Sequence, residues 1–271
     1  MILNIDTATE TASIALSDGT RVLELMKNED QKDHAAWIHN AIKTLMENTG
    51  NSLSHLRAIA VTAGPGSYTG LRVGMATAKG LCYALNIPLI TESTLKVMAQ
   101  AAVESEWGIA PDSEQFRKEP GQQPGAENVI IKSDTDNQVK PISSESASPQ
   151  LNSGATTGNK LLCPMIDARR MEVFAAVYSI ALEEVKKPEP VILDGNSFGE
   201  LLAGNKIIFF GSGSYKFRDL ISNNNASFKD IRHHAGHLAF LAYERFRAGK
   251  LTSAAYADPV YLKEFYTHTR K

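Results

Sequence analysis
Two aspartates, two glycine-rich turns and a histidine cluster are the parts of this 271-residue chain whose types and spacing could do chemistry. Asp6 closes the apolar run Ile2–Ile5, and Asp167 closes Leu161–Ile166. A carboxylate at the end of a buried strand can face a magnesium ion shared with nucleotide phosphates. Gly64-Pro65-Gly66-Ser67 and Gly211-Ser212-Gly213-Ser214 each lie between an apolar stretch and a helical pattern. At such a junction backbone N–H groups and the helix dipole can hold an anion. Asp6, Gly64, Gly66, Gly211 and Gly213 are therefore the candidates for contact with a nucleotide.

The first turn misses the known phosphate loops. A Walker loop ends in glycine followed by Lys-Ser or Lys-Thr, whereas Leu71-Arg72 follows Gly70. A dinucleotide fingerprint needs its third glycine one residue earlier than Gly70. A tight turn seating the next helix on its sheet is the simpler reading. His233 and His237 have the four-residue spacing of two metal ligands on a helix, but beside His234 at a helix start they read as a polar, solvated end. Asp6, Glu10 and Asp18 read likewise as solvated hairpin carboxylates. Ser67 and Ser214 lack the flanks of a nucleophile elbow, and no His-Glu-x-x-His occurs, so hydrolase and peptidase chemistry have no support. No catalytic residue and no metal ligand is assigned.

A net charge of −2 argues against strong non-specific binding to nucleic acid, which needs a surplus of cations against the phosphates. Cys82 and Cys163 are too few for a disulfide framework and read as buried thiols of a reducing compartment. No uncharged apolar run reaches spanning length, and an apolar strand starting at Ile2 leaves no signal peptide, so a cytoplasmic protein is expected.

The elements that must position these groups follow in order. Ile2–Ile5, Thr11–Leu16 and Val22–Met26 predict three strands, with a hairpin turn at Ser17-Asp18-Gly19. Asp33 is a candidate N-cap for a helix with Ala35, Ile38, Ile42 and Leu45 on one face and Gly50 just past its end. Ile59 and Val61 mark the strand before the first glycine turn. From Leu71 a helix carries Gly70, Gly74 and Ala78 at four-residue spacing, with Met75 beside them. Pro88–Thr91 and Thr94–Val103 predict a strand and a helix.

Residues 104–160 hold five of the eleven prolines among many polar residues, the composition of a disordered insertion. Beyond them, strands are expected at Leu161–Ile166, Met171–Ile180, Val191–Leu193, Ile207–Phe210 and near Phe228–Ile231. Helices are expected from Phe198 to Ala203, from Ser214 to Ile221 and from Ala235 to Arg247.

Residues 1–103 and 161–271 thus repeat one order: three strands, a helix, a strand, Gly-x-Gly-Ser, a helix, a strand and a helix. The expected fold is α/β: two duplicated actin-like lobes of the ribonuclease H-like kind, with mixed sheets flanked by helices and a cleft between them. The last helix and tail are free to pack back on the first lobe. In actin, sugar kinases and chaperone ATPases, aspartates at the positions of Asp6 and Asp167 hold the metal nucleotide.

Ile2–Thr7 (ILNIDT), Gly64–Gly74 (GPGSYTGLRVG), Asp167–Val173 (DARRMEV) and Pro259–Lys263 (PVYLK) together resemble the TsaB family, across both lobes and outside the insertion. The resemblance implies a non-catalytic part in making threonylcarbamoyladenosine on tRNA beside the anticodon. It implies a TsaD-like catalytic partner, a TsaE-like ATPase and indirect contact with tRNA, with ATP and metal needed by the complex rather than bound by this subunit. A homodimer of the isolated chain stays open. TsaD relatives place His-x-x-x-His after the strand that follows the glycine-turn helix; here Thr91–Lys96 has no histidine, and Ala168-Arg169 stands where nucleotide-binding relatives place a glycine. The family docks its partner through its first two helices, which carries over to Trp37, Ile38, Ile42, Gly70, Gly74, Met75 and Ala78 as the expected interface. The alternative reading is a stand-alone ATP- and metal-dependent transferase or small-molecule kinase of the same fold.

Overall fold
Every residue of strand β1 (Ile2–Asp6) is buried, which requires cover on both faces of its sheet. In the computed structural model, which describes residues 1–29, 34–108 and 159–263, β1 is the centre of the first of two five-stranded sheets. β2 (Ala12–Asp18) and β3 (Arg21–Asn28) run antiparallel from it, and β4 (Ala58–Gly64) and β5 (Leu89–Ser93) run parallel on its other side. The order is β3-β2-β1-β4-β5. Helix α1 (His34–Asn48) joins β3 to β4, α2 (Tyr68–Leu85) joins β4 to β5, and α3 (Thr94–Trp107) follows.

The second sheet repeats the plan. β6 (Asn159–Asp167), β7 (Glu172–Ser179) and β8 (Glu184–Ile192) are antiparallel neighbours, while β9 (Asn205–Phe210) and β10 (Ala226–Lys229) continue in parallel from β6. Its order, β8-β7-β6-β9-β10, is that of the first sheet strand for strand, so the fold is the expected two-lobed, actin-like α/β duplication. Short helices α4 (Gly199–Gly204) and α5 (Ser214–Arg218) stand for α1 and α2, and α6 (Ala235–Arg247) for α3.

Three apolar cores tie the layers together. One lies between the first sheet and α1 and α2, around Ile5, Ile38, Leu45 and Met75. A second lies between the second sheet and α4 and α5, around Phe209 and Phe217. The third is shared. Ile2, Ala60 and Ile90 of the first sheet and Leu162, Tyr178 and Phe210 of the second meet across Leu95, Met98, Leu238 and Leu241 of α3 and α6. Helix α6 packs mainly on the sheet of the first lobe, and α3 reaches β6 and β7 of the second. Because one continuous apolar core spans both sheets, opening the lobes like a hinge would expose buried surface at about 25 cal/mol per Å².

The largest difference from expectation is β8, which starts at Glu184 rather than Val191. Its Pro188 and Pro190 argue against a strand, but β8 is at the sheet edge, where a missing N–H costs no ladder bond. Helix α2 begins at Tyr68 because the Ser67 hydroxyl caps it, accepting from Gly70 N–H at 3.2 Å. Asp33, Val129–Ile131, Arg270, Lys271 and most of the expected insertion lie outside the described residues. Among the described residues no helix is long and apolar enough to cross a membrane.

Candidate functional site
The β1–β2 loop, the glycine turn before α2 and the β6–β7 hairpin face one another across a cleft of about 820 Å³. The chain returning from α6 forms its fourth side with Val260–Lys263. Three of the four sequence motifs that carry the family resemblance therefore border one cavity, and the residues just after the fourth, Ala8–Glu10, join them. Its apolar surface comes from Pro65, Tyr68, Phe174 and Tyr261, and its charged groups are Glu10, Asp167, Arg169 and Lys263.

Asp6 does not reach this cleft. It is 1% exposed, below the loop that lines it, and both of its oxygens are engaged. Oδ1 accepts from the Thr62 hydroxyl at 2.9 Å and from Ala8 N–H at 3.2 Å, and Oδ2 stands 3.2 Å from His233 Nε2. Burial works against its charge, but the His233 charge and hydrogen bond, with Ala8 and Thr62, outweigh it and hold the carboxyl below its usual value. The reading of Asp6 as a nucleotide contact or a solvated carboxylate is corrected: it anchors the lead into α6 beneath the first sheet. Ala235 N–H, donating to Ser13 Oγ at 2.9 Å, fastens the same junction.

Asp167 is the surface counterpart. Its Oδ1 pairs with Lys216 Nζ at 2.6 Å and accepts from Arg169 N–H at 2.6 Å. Asp167 is thus matched by a cation of this chain and Asp6 is enclosed by Thr62, Ala8 and His233, a poor fit to a magnesium–nucleotide complex. Among the described residues no group of three or more His, Cys, Asp or Glu side chains is placed to hold a metal ion.

The glycines are also spoken for. A Cβ on Gly64 would meet the Val260 carbonyl, and on Gly66 the Ala8 carbonyl. On Gly211 it would meet Met98 and the Met165 carbonyl, and on Gly213 Val173 and Met165. Gly64 (φ 123°) and Gly211 (φ 89°) also need the left-handed region that glycine tolerates. These glycines admit the chain's own atoms, not a phosphate, and of the four only Gly66 borders the cleft.

The expected interface residues divide. Ile38, Ile42, Gly70, Gly74, Met75 and Ala78 are buried against their own sheet and are not accessible to a partner. A Cβ on Gly70 or Gly74 would meet Thr7, whose hydroxyl donates to the Gly70 carbonyl at 2.7 Å. Trp37 is half-buried, and the outward side of α2 carries Ala76, Gly80 and Tyr83, one face by their spacing. Tyr83 is 90% exposed.

The histidines are not a solvated helix end either. His234 Nδ1 accepts from Gly236 N–H at 3.1 Å, His237 Nδ1 accepts from His234 N–H at 3.0 Å, and the two rings stack at 3.9 Å. An imidazole accepting at Nδ1 must be unprotonated there. Burial, reinforced by neighbouring positive charge, pushes His234 down to about 4 and His237 down to about 3. The sequence reading of a polar, solvated helix start is corrected: these rings cap α6 from inside.

The β6–β7 hairpin turns through Arg169 (φ 72°) and Arg170 (φ 48°), closed by Ala168 N–H to the Glu172 carbonyl at 3.0 Å. Non-glycine residues held at such angles cost about 1–3 kcal/mol each. On the opposite wall the Arg72 guanidinium lies 3.7 Å from the Tyr68 ring centre and donates to Tyr261 Oη at 3.1 Å.

Residues 26–111 match the family described as TsaD, tRNA N6-adenosine threonylcarbamoyltransferase. The chain is 42% identical over 104 residues to the Escherichia coli "tRNA threonylcarbamoyladenosine biosynthesis protein TsaB", which covers 37% of this chain and 43% of that protein. It is 36% identical over 98 residues to the Bacillus subtilis protein of that name, covering 36% and 43%. The matched region thus spans less than half the length of these relatives. YeaZ from Pseudomonas aeruginosa superimposes over 96% of this chain and 99% of its own, with a TM-score of 0.66 at 22% identity.

Proposed function
We propose that the chain, similar in sequence to TsaB proteins over about a third of its length and with the YeaZ fold over both lobes, takes part in making threonylcarbamoyladenosine on tRNA as a non-catalytic subunit supporting a TsaD-like catalyst. A TsaE-like ATPase joins the pair, and tRNA is met through the assembly. The observation that carries this reading is the state of the two strand-end aspartates. Asp6 is locked to His233 and Asp167 to Lys216, so the positions that hold a metal nucleotide in catalytic relatives of this fold are used here to fix structure. Thr91–Lys96, where TsaD relatives carry their metal histidines, is likewise structural: Thr91 and Thr252 share a hydrogen bond at 2.8 Å, and Glu92 faces Arg245 at 3.6 Å.

The partner docks on the outward side of α1 and α2, through Trp37, Ala76, Gly80 and Tyr83. Gly80 is the informative position, because no atom lies within 4 Å of where its Cβ would stand. Gly80→Arg is expected to keep the fold, replacing glycine in an exposed helix being favourable by about 1 kcal/mol. It should nevertheless abolish co-purification with the TsaD-like subunit, as should Tyr83→Asp. Folded variants that still bring down the partner in full would move the interface elsewhere.

A further inference from the structure
The β6–β7 hairpin spends two consecutive non-glycine residues on left-handed backbone at the lip of the cleft. Glycine or asparagine would hold that turn with less strain. Nothing in the fold uses the side chains placed there. Both are exposed, and among the described residues neither guanidinium makes an ion pair, a side-chain hydrogen bond or a cation–π contact. The acidic groups around them are largely engaged: Asp167 by Lys216 and Glu172 by Lys263, leaving Glu10 on the far wall. A strained turn carrying two uncommitted cations is the pattern expected where a ligand, rather than packing, selects the residues.

We propose that Arg169 and Arg170 contact the phosphate backbone of RNA at the mouth of the cleft. The proposal rests on the tRNA-modifying role above and deepens it, giving this chain a direct contact with the substrate. RNA is favoured over an acidic protein by the facing wall. There the Tyr68 and Tyr261 rings lie 5.4 Å apart beside the stacked Arg72, and Phe174 lines the same cavity. Aromatic rings opposite cations suit an unpaired base and its phosphate together, whereas an acidic peptide would call only for the charge. The net charge of −2 makes this a local contact, adding to an RNA held by the assembly.

The test pairs Arg169→Gly/Arg170→Gly with Arg169→Lys/Arg170→Lys in the full chain. Binding of tRNA is followed by fluorescence anisotropy across a salt series, with the chain alone and with its TsaD-like partner. The glycine variant should melt a few degrees higher, since backbone strain is removed, and bind tRNA less tightly. Its log K against log salt slope should be shallower by about 1.5, the loss of two phosphate contacts. The lysine variant should keep the parental slope. An unchanged slope in the glycine variant overturns the proposal, with or without the partner. Loss of partner binding at an unchanged RNA slope also overturns it and assigns the tip to a protein surface. Failure of the partner to associate with the parental chain instead counts against the scaffold reading, and the chain-alone titration then decides the RNA contact.

Discussion
Leucine at position 74 will cost the chain its fold. The glycine sits where α2 crosses β1, and its missing Cβ would press on Thr7 Oγ1, with Val61 and Ile5 methyl groups at 3.4 and 3.5 Å. None of these neighbours is the loose end of a long side chain. Thr7 is further held by its bond to the Gly70 carbonyl at 2.7 Å, so relief on one side breaks a contact on another. Overpacking alone costs about 1–3 kcal/mol, and losing the buried Thr7 hydrogen bond adds about 1 kcal/mol or more. Urea titration should show a strongly lowered midpoint for Gly74→Leu, and a clearly lowered one even for Gly74→Ala, beside an unaltered Gly80→Arg. A Gly74→Leu protein with the parental midpoint would mean that α2 does not lie on β1 as described.

Acid will weaken the junction between the lobes from two directions, and Asp6→Ala will reproduce much of the damage at neutral pH. Removing the carboxylate leaves the buried donors that face it, Thr62 and Ala8 among them, without an acceptor, at about 1–3 kcal/mol each. Asp6→Asn keeps an acceptor and should cost less. For Asp6, whose folded value is depressed, stability is present above its unfolded value near 3.8 and lost as pH falls through the folded one. His234 and His237 are depressed bases. Below about pH 6.5 the unfolded chain takes up protons that the folded chain refuses, so stability drains from there down to their folded values of about 4 and about 3. The urea midpoint should therefore be level above neutrality and fall progressively from pH 6.5 to 3. A flat profile over that range would contradict the burial of these rings.

The duplication was legible because each lobe repeats the same order of apolar strands, Gly-x-Gly-Ser turn and helix, and element order survives sequence drift. Strand β8 was not, since Lys187, Pro188 and Pro190 suppress the alternating pattern and only its edge position permits it. The site was legible in its borders and illegible in its occupancy. The spacing of Gly64, Gly66, Gly70 and Gly74 correctly marked close backbone approach, yet nothing local says whether the approaching group is a phosphate, a partner helix or the chain's own Thr7, Ala8 and Val260. Asp6 and His233 are 227 positions apart, and only the path of the chain from the second lobe under the first brings them to 3.2 Å. Residues that act by meeting distant ones carry no periodic signal of it.

Threonylcarbamoyl transfer to tRNA, measured with purified components and each protein left out in turn, bears most directly on the supporting role. The account predicts no transfer by this chain alone, full transfer with the TsaD-like and TsaE-like proteins present, and a collapse when the chain is omitted or carries Gly80→Arg. Transfer by this chain without its partners, or transfer that proceeds undiminished in its absence, would contradict it.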